Sequence, residues 1–491
     1  MEHEELHFDD IKKRSVKGGI ILTARRGLLK VVSLISFVAL GWFLSQEQFG
    51  VFAIANFIVT FFAYFSDVGL AAAIVQKREK LTVKDLRTTF TIQQILVVSL
   101  TIILVTTAPF IVERLYQNSL DPAYISLIQV LGLSLILASL KSLPSALLER
   151  RLQFGKLVIP EVVETLLYNA VAVLLAWQGF GVWSFIYAML ARGIAGTSLM
   201  YILCPWPIGL AFDTQAAKKL FSFGIPFQLN SFIALIKDNI VPTFVAGYLG
   251  TAAVGNINWA QKYAFLPLEI LNDIIRVTFP AYSRLQHDKA LLSRSLEKSL
   301  FIVSLVLYPM LAGVMALMPW ITPYILNPKW LPALPVFYFL CVNTLWASVS
   351  TTCTNTLFSI GQQKIVLKYM ILWTVLTWVL IPLCVFLLND IIGVGIAQAI
   401  IACASLGIIL ETKKFVDIKI INTIGKQLIF SATMGAVVYL YSIYFVTNIW
   451  MLTTSVLLGI IIYTSQIMLF MRERTLVEFE KITQILFKKV L

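Results

Sequence analysis

Apolar runs of about twenty residues recur from one end of the chain to the other, among them YMILWTVLTWVLIPLCVFLL. That is the length an α-helix needs to cross the ~30 Å hydrocarbon core of a bilayer. A backbone in lipid must satisfy its own polar groups, so only helices and closed barrels span membranes. The length of these runs selects helices. Composition agrees: 58% of the 491 residues are hydrophobic and only 13% are charged, about half the charge of a soluble chain. The sequence therefore predicts an all-α polytopic membrane protein, and a string of soluble domains with apolar cores is set aside.

About fourteen spans are expected, roughly at 18–45, 50–75, 88–112, 122–147, 158–177, 181–204, 219–247, 252–283, 299–325, 333–360, 364–388, 391–411, 427–446 and 449–471. Every second connection is basic, as at Lys77, Arg78 and Lys80, at Arg150 and Arg151, or at Lys413, Lys414 and Lys419, whereas the intervening loops hold little beyond Arg114 and Lys329. The positive-inside rule then places both termini in the cytoplasm, which requires an even number of spans. The net charge of +13 is thereby read as topology, and nucleic-acid binding is discounted.

The opening MEHEELHFDD is acidic and polar, unlike the basic start of a cleavable signal peptide. The five cysteines are scattered without C-x-x-C spacing, so no metal site or disulfide framework is expected. The three histidines lie in polar flanks and read as surface residues. Trp177, Trp183, Trp320, Trp330 and Trp450 fall near outer span ends, where aromatic rings favour the headgroup layer. The outer loops are short, which leaves no room for an extracytoplasmic domain, and residues 472–491 read as a cytoplasmic tail.

Gly19, Leu44 and Gly50 recur as Gly224, Leu249 and Gly255 at one constant offset. These matches point to an internal repeat, two pseudo-symmetric six-helix bundles with two helices appended, an architecture common among transporters. The expected division is an N-terminal segment 1–17, bundles 18–210 and 211–412, and two additional helices within 413–471.

Charges inside the spans carry the functional signal. A Lys or Arg at mid-span costs roughly 2.5–3.5 kcal/mol on insertion scales, so it snorkels, pairs or lines water. Span 1 holds Arg25, Arg26 and Lys30; snorkelling and a shared polar face both remain open for them. In span 8, read as one continuous helix, Asn258, Lys262, Glu269, Asp273 and Arg276 project within a stripe about 60° wide. Internal ion pairing is one reading of that stripe, and the lining of a hydrated cavity is the other. Arg192 is about three turns from either end of its span. Lys237 and Asp238 are mid-span neighbours that point about 100° apart, and Asp67 shares a face with Asn56. Lys141 is expected to snorkel towards the cytoplasm. Glu161 and Glu164 follow Pro160 and are read as capping acids in a first helical turn. Without those two acids and Lys141, seven intramembrane cations face four acids, and this excess suggests an anionic ligand.

No phosphate-loop motif G-x-x-x-x-G-K-[ST], H-E-x-x-H, G-x-S-x-G or Cys/His cluster is present, and nothing suggests catalysis.

The segments LSQEQFGVFAIANFIVTFFAYFSDVGLAAAIVQ, ERRLQFGKL, FGIPFQLNSFIALIKDNIVPTFVAGYLGTAAVGNINWAQKYAFLP, FPAYSRLQHD and LNPKWLPALPVFYFLC resemble the polysaccharide transporter family. These are the Wzx-type flippases of the multidrug/oligosaccharidyl-lipid/polysaccharide superfamily, and the likeness, strongest to the branch of colanic-acid flippases, runs from Gly18 to about Leu410. It implies two six-helix bundles around a central cavity plus two further helices. It also implies movement of polyprenyl-diphosphate-linked oligosaccharide from the inner to the outer leaflet by alternating access, in contact with membrane lipids and with a polysaccharide polymerase complex as an expected partner. No cofactor is implied, and coupling to an H+ or Na+ gradient is left open. On helical geometry, Arg25, Arg26, Arg192, Lys237, Lys262 and Arg276 are the candidate contacts to diphosphate and sugar. Asp67, Asp238, Glu269 and Asp273 are the candidate charge-balancing or ion-coupling acids. The competing readings are a cation-coupled multidrug exporter of the same superfamily and a polytopic glycosyltransferase or polymerase.

Overall fold

The computed structural model describes residues 27–67, 81–115, 123–151, 153–214 and 241–473, together with residues 70, 71, 74, 217, 218, 239, 475 and 476. Secondary structure among them is entirely helical. The long helices are α1 (Gly27–Phe43), α2 (Gln46–Asp67), α3 (Val83–Leu115), α4 (Ala123–Arg150), α5 (Phe154–Trp177), α6 (Trp183–Leu203), α7 (Thr251–Ala264), α8 (Leu266–Leu285), α9 (Lys289–Ile321), α10 (Leu334–Ser359), α11 (Gln363–Leu388), α12 (Ile392–Phe415), α13 (Ile420–Phe445) and α14 (Ile449–Phe470). Eleven described helical segments are long and apolar enough to cross a membrane. The expected span 219–247 lies mostly outside the described residues, as does the first third of span 1.

Short polar signals set the helix starts. Ser45 and Gln48 form a reciprocal capping box ahead of α2, with Gln48 N donating to Ser45 Oγ at 3.2 Å and Ser45 N to Gln48 Oε1 at 2.9 Å. Thr82 and Asp85 repeat the device for α3. Asp288 and Asn448 accept from the backbone N–H three residues on, at the starts of α9 and α14. Each cap satisfies donors that no helical partner reaches.

The chain divides into two compact units, residues 1–255 and 256–491, with the division inside α7. Within the first unit α2 meets the first turn of α7 through two glycines. A Cβ added to Gly50 would lie 2.6 Å from the Thr251 carbonyl carbon and 3.1 Å from Gly255 N. One added to Gly255 would lie 2.9 Å from the Gln46 carbonyl carbon and 3.1 Å from Gly50 N. Gln46 and Thr251 stand at the same offset as Gly50 and Gly255, so the contact is reciprocal between equivalent positions, as in an isologous interface. Small residues of this kind let membrane helices approach backbone to backbone.

In the second unit the two final helices dock on α9. Gly435 of α13 sits against Ala312, Gly459 of α14 against Val438, and the Tyr463 hydroxyl donates to the Leu305 carbonyl at 2.9 Å. Span 8 is not one helix. α7 ends at Ala264 and α8 begins at Leu266, because Pro267 has no N–H to continue the ladder. Leu268 N turns to Phe265 O, and Thr344 Oγ1 of α10 donates to the freed Ala264 carbonyl at 2.9 Å. The expected stripe rests on an unbroken helix, and the helix is interrupted at Phe265, between Lys262 and Glu269.

The tryptophans expected at span ends differ in exposure, with Trp183 and Trp320 half-buried. Trp177 and Trp450 are highly exposed, as an interfacial belt requires. Trp330 departs from that expectation: it is fully buried and stacks on Trp259, with centroids 5.4 Å apart and planes 5° apart.

Candidate functional site

One membrane-embedded charge cluster is laid out in detail among the described residues, and it lies within the first unit. Lys141 on α4, Glu164 on α5 and Arg192 on α6 converge. Lys141 Nζ donates to Glu164 Oε1 at 2.6 Å and to Oε2 at 2.8 Å. Arg192 Nε reaches Oε2 at 3.3 Å. The Glu164 side chain is 6% exposed, that of Lys141 26% and that of Arg192 46%.

Local sequence explains the convergence. Gly196 lies one turn beyond Arg192 on the same face of α6, and a Cβ there would stand 2.6 Å from Glu164 Cγ. Only glycine leaves the carboxylate its place. Gly193 admits the Leu137 side chain of α4, and Thr197 Oγ1 donates to the Leu137 carbonyl at 2.9 Å. Small and hydroxylated residues thus clamp α6 to α4, with Glu164 between them. On the far side of α5, Asn169 Nδ2 donates to Thr165 O at 2.7 Å and approaches Ser33 Oγ of α1 at 3.4 Å.

Two predictions from the sequence are corrected here. Glu164 is not a capping acid: α5 begins at Phe154, so Pro160 lies inside the helix and Glu164 falls about three turns in. Pro160 does not start the helix, because membrane helices tolerate internal proline where neighbours compensate the backbone. Lys141 does not snorkel; it is paired inside the bundle.

The electrostatics follow from the count. Two cations share one buried carboxylate, so the cluster keeps one net positive charge. Only the Glu164 carboxylate is buried, and leaving it unpaired there costs about 3–5 kcal/mol. Arg192 spends only its Nε on Glu164, and its two terminal amino groups make no hydrogen bond among the described residues. They form a planar fork of donors matched to two oxygens of a carboxylate or phosphate. Nearly half exposed near the middle of α6, that fork meets lipid at high cost or meets water and polar ligand at little.

The other candidates are placed less fully. Lys262 and Glu269 are half-buried and each engages other groups of the protein. Lys30 is exposed near the start of the described part of α1 and is also engaged. Asp67, Asp273 and Arg276 lie on helices, but their side chains are outside the described residues, as are Arg25, Arg26, Lys237 and Asp238 altogether. Glu164 is the buried acid of the cluster that the sequence reading places in a cap instead. The signal that marks it is the charge tally, where counting Glu164 and Lys141 as partners leaves Arg192 half-compensated.

Fold and composition together define a polytopic helical membrane protein. In architecture it is similar to the lipid II flippase MurJ in an inward closed conformation, with a TM-score of 0.76, 16% identity, and 93% of this chain and 100% of that one covered. It also resembles an inward-facing multidrug resistance MATE family transporter of the MOP superfamily, with a TM-score of 0.59, 14% identity, and 79% and 95% covered. Residues 39–335, more than half of the chain, match the family model described as polysaccharide biosynthesis protein, and the chain belongs to that family. Relatives include the lipopolysaccharide biosynthesis protein WzxC of Escherichia coli K12, 26% identical with 84% of this chain and 80% of that protein covered. Another is the succinoglycan biosynthesis transport protein ExoT of Rhizobium meliloti, 26% identical with 68% and 67% covered.

Proposed function

We propose that the chain is a flippase that moves polyprenyl-diphosphate-linked oligosaccharide repeat units from the inner to the outer leaflet of the cytoplasmic membrane, by alternating access, for surface polysaccharide synthesis. Family membership, relatives named for succinoglycan transport and lipopolysaccharide biosynthesis, and the fold shared with a lipid II flippase support this reading. The observation that carries it is the Arg192 guanidinium, fixed at Nε by Glu164 with its terminal fork open. A diphosphate that leaves water must exchange hydration for fixed positive charge, and Arg192 offers such charge inside the hydrocarbon layer.

In this reading Arg192 acts with Arg25, Arg26, Lys237, Lys262 and Arg276 as the diphosphate and sugar contacts. Asp67, Asp238, Glu269 and Asp273 balance them or couple transport to an H+ or Na+ gradient. Both termini face the cytoplasm, the repeat comprises bundles 18–210 and 211–412 with two helices added, and the product is handed to a polymerase complex. The chain performs transport and no covalent chemistry.

The test is mass spectrometry of lipid-linked intermediates in cells depleted of the chain and complemented with Arg192→Ala or Lys262→Ala at matched protein level. Accumulated intermediate and lost surface polysaccharide are expected. Normal export from both variants removes these residues from the mechanism. Depletion that leaves lipid intermediates unchanged refutes the flippase reading itself.

A further inference from the structure

A site built only to hold a phosphoryl anion would do best with cations alone, yet a carboxylate lies at the centre of this one. The fold takes specific measures to keep it there. Gly196 clears its volume, and Lys141 and Arg192 between them neutralise it. The two arms of the cluster are unequal. Lys141 makes two short bonds, at 2.6 and 2.8 Å, while Arg192 makes one at 3.3 Å, beyond the usual range for an N–H···O bond. Most of the carboxylate's charge is therefore committed to Lys141. Arg192 is oriented by Glu164 more than it is neutralised by it.

We infer that Glu164 and Lys141 are positioning residues that meter the positive charge Arg192 presents to a lipid-borne phosphoryl anion. Glu164 fixes the guanidinium at Nε, turns the terminal fork outward and lowers the cluster from two net charges to one. Capture is then weak enough to be followed by release. Lys141 holds the carboxylate by both oxygens and keeps it from closing onto Arg192 as a complete ion pair. The inference rests on the proposal that Arg192 meets the diphosphate, and it adds what sets the strength of that contact.

Charge arithmetic gives an ordered prediction. The native cluster carries one net positive charge, Glu164→Gln two, Lys141→Met none, and the double variant one again. One unit charge at this range, partly screened, changes the dissociation constant on the order of tenfold. Binding of farnesyl diphosphate to the full-length chain in nanodiscs of neutral lipid measures it, with short-chain phosphatidylglycerol as a parallel ligand. Glu164→Gln is expected to bind farnesyl diphosphate roughly tenfold more tightly and Lys141→Met roughly tenfold more weakly, with the double variant returning to native affinity. In transport, Glu164→Gln lowers KM and kcat together, since tighter capture slows release.

A purely structural role predicts the opposite pattern, with the double variant at least as impaired as either single one, and that result overturns the inference. Should Lys141→Met fail to fold, Glu164→Gln decides alone, because binding no tighter than native defeats the proposal. If Arg192→Ala leaves farnesyl diphosphate binding unchanged, the reading of Arg192 falls and this inference with it. If Arg192→Ala weakens binding but the charge order is absent, only the metering role fails. Equal strength and the same order with phosphatidylglycerol would make this a general headgroup site and refute selectivity for the carrier diphosphate.

Discussion

Replacing Gly50 and Gly255 by alanine, singly and together, tests the reciprocal helix crossing. The added Cβ on Gly50 would stand 2.6 Å from the Thr251 carbonyl carbon, and that on Gly255 2.9 Å from the Gln46 carbonyl carbon. Carbon atoms settle at about 3.5–4.0 Å, and the carbonyl oxygens of Thr251 and Gln46 lie closer still to the added carbons, so α2 and the first turn of α7 must separate by more than about 1 Å. The obstacle in each case is backbone, which cannot rotate aside. Overpacking of this kind costs about 1–3 kcal/mol, and each single variant is expected to lose that much. The double variant should lose little more than one of them, because the separation that admits one methyl also admits its symmetry mate. The coupling energy should therefore be about as large as a single penalty, well above the ~0.5 kcal/mol scatter of independent sites. Equilibrium unfolding in detergent, followed by tryptophan fluorescence, gives all four corners of the cycle. Gly155→Ala serves as control, since nothing lies within 4 Å of that Cβ and alanine favours helix by up to 1 kcal/mol. Strictly additive penalties, or singles that behave like Gly155→Ala, would refute the twofold crossing.

Three further outcomes follow from single contacts. Gly196→Ala pushes the Glu164 carboxylate from its place and should destabilise by about 3–5 kcal/mol, as a broken buried pair does; its unfolding midpoint should fall well below that of Gly155→Ala. Thr344→Val keeps the side-chain shape but removes the donor to the Ala264 carbonyl; a loss of about 1–3 kcal/mol is expected, with faster hydrogen exchange around residues 261–268. Gly435→Leu drives a side chain into Ala312; limited proteolysis between α12 and α13 should then release the last two helices more readily than from the native chain.

The hydrocarbon layer made most of the helices legible, because run length and the basic connections are set by the bilayer itself. Ser45 with Gln48 and Thr82 with Asp85 sit at span starts, as local capping chemistry dictates. What failed to show was decided by neighbours distant in sequence. Pro160 reads as a helix start until Phe154 is seen to begin α5. Lys141 reads as a snorkelling cation until α5 brings Glu164 beside it. Span 8 reads as one helix because Pro267 alone does not reveal that Thr344, from α10, compensates a break. Trp330 reads as an interfacial ring until Trp259 covers it. The constant offset between Gly50 and Gly255 is legible in the sequence, but their approach to each other is not.

The distribution of stiffness in the chain bears on how such a protein can move. The Lys141–Glu164–Arg192 cluster, the Thr197–Leu137 bond and the close approach at Gly193 join α4, α5 and α6 at several points. Sliding one of these helices by a turn would strand the buried Glu164 carboxylate at a cost of about 3–5 kcal/mol, so the cluster holds the three helices in one register. Irregular backbone occurs elsewhere, at the π-helical turns Val241–Val245 and Thr322–Leu326 and at the break around Phe265. Such interruptions leave helical hydrogen bonds to be remade by neighbours and are frequent at functional sites. None of these three interruptions includes a residue of the Lys141–Glu164–Arg192 cluster, so backbone irregularity and the charged frame occupy separate parts of the described chain.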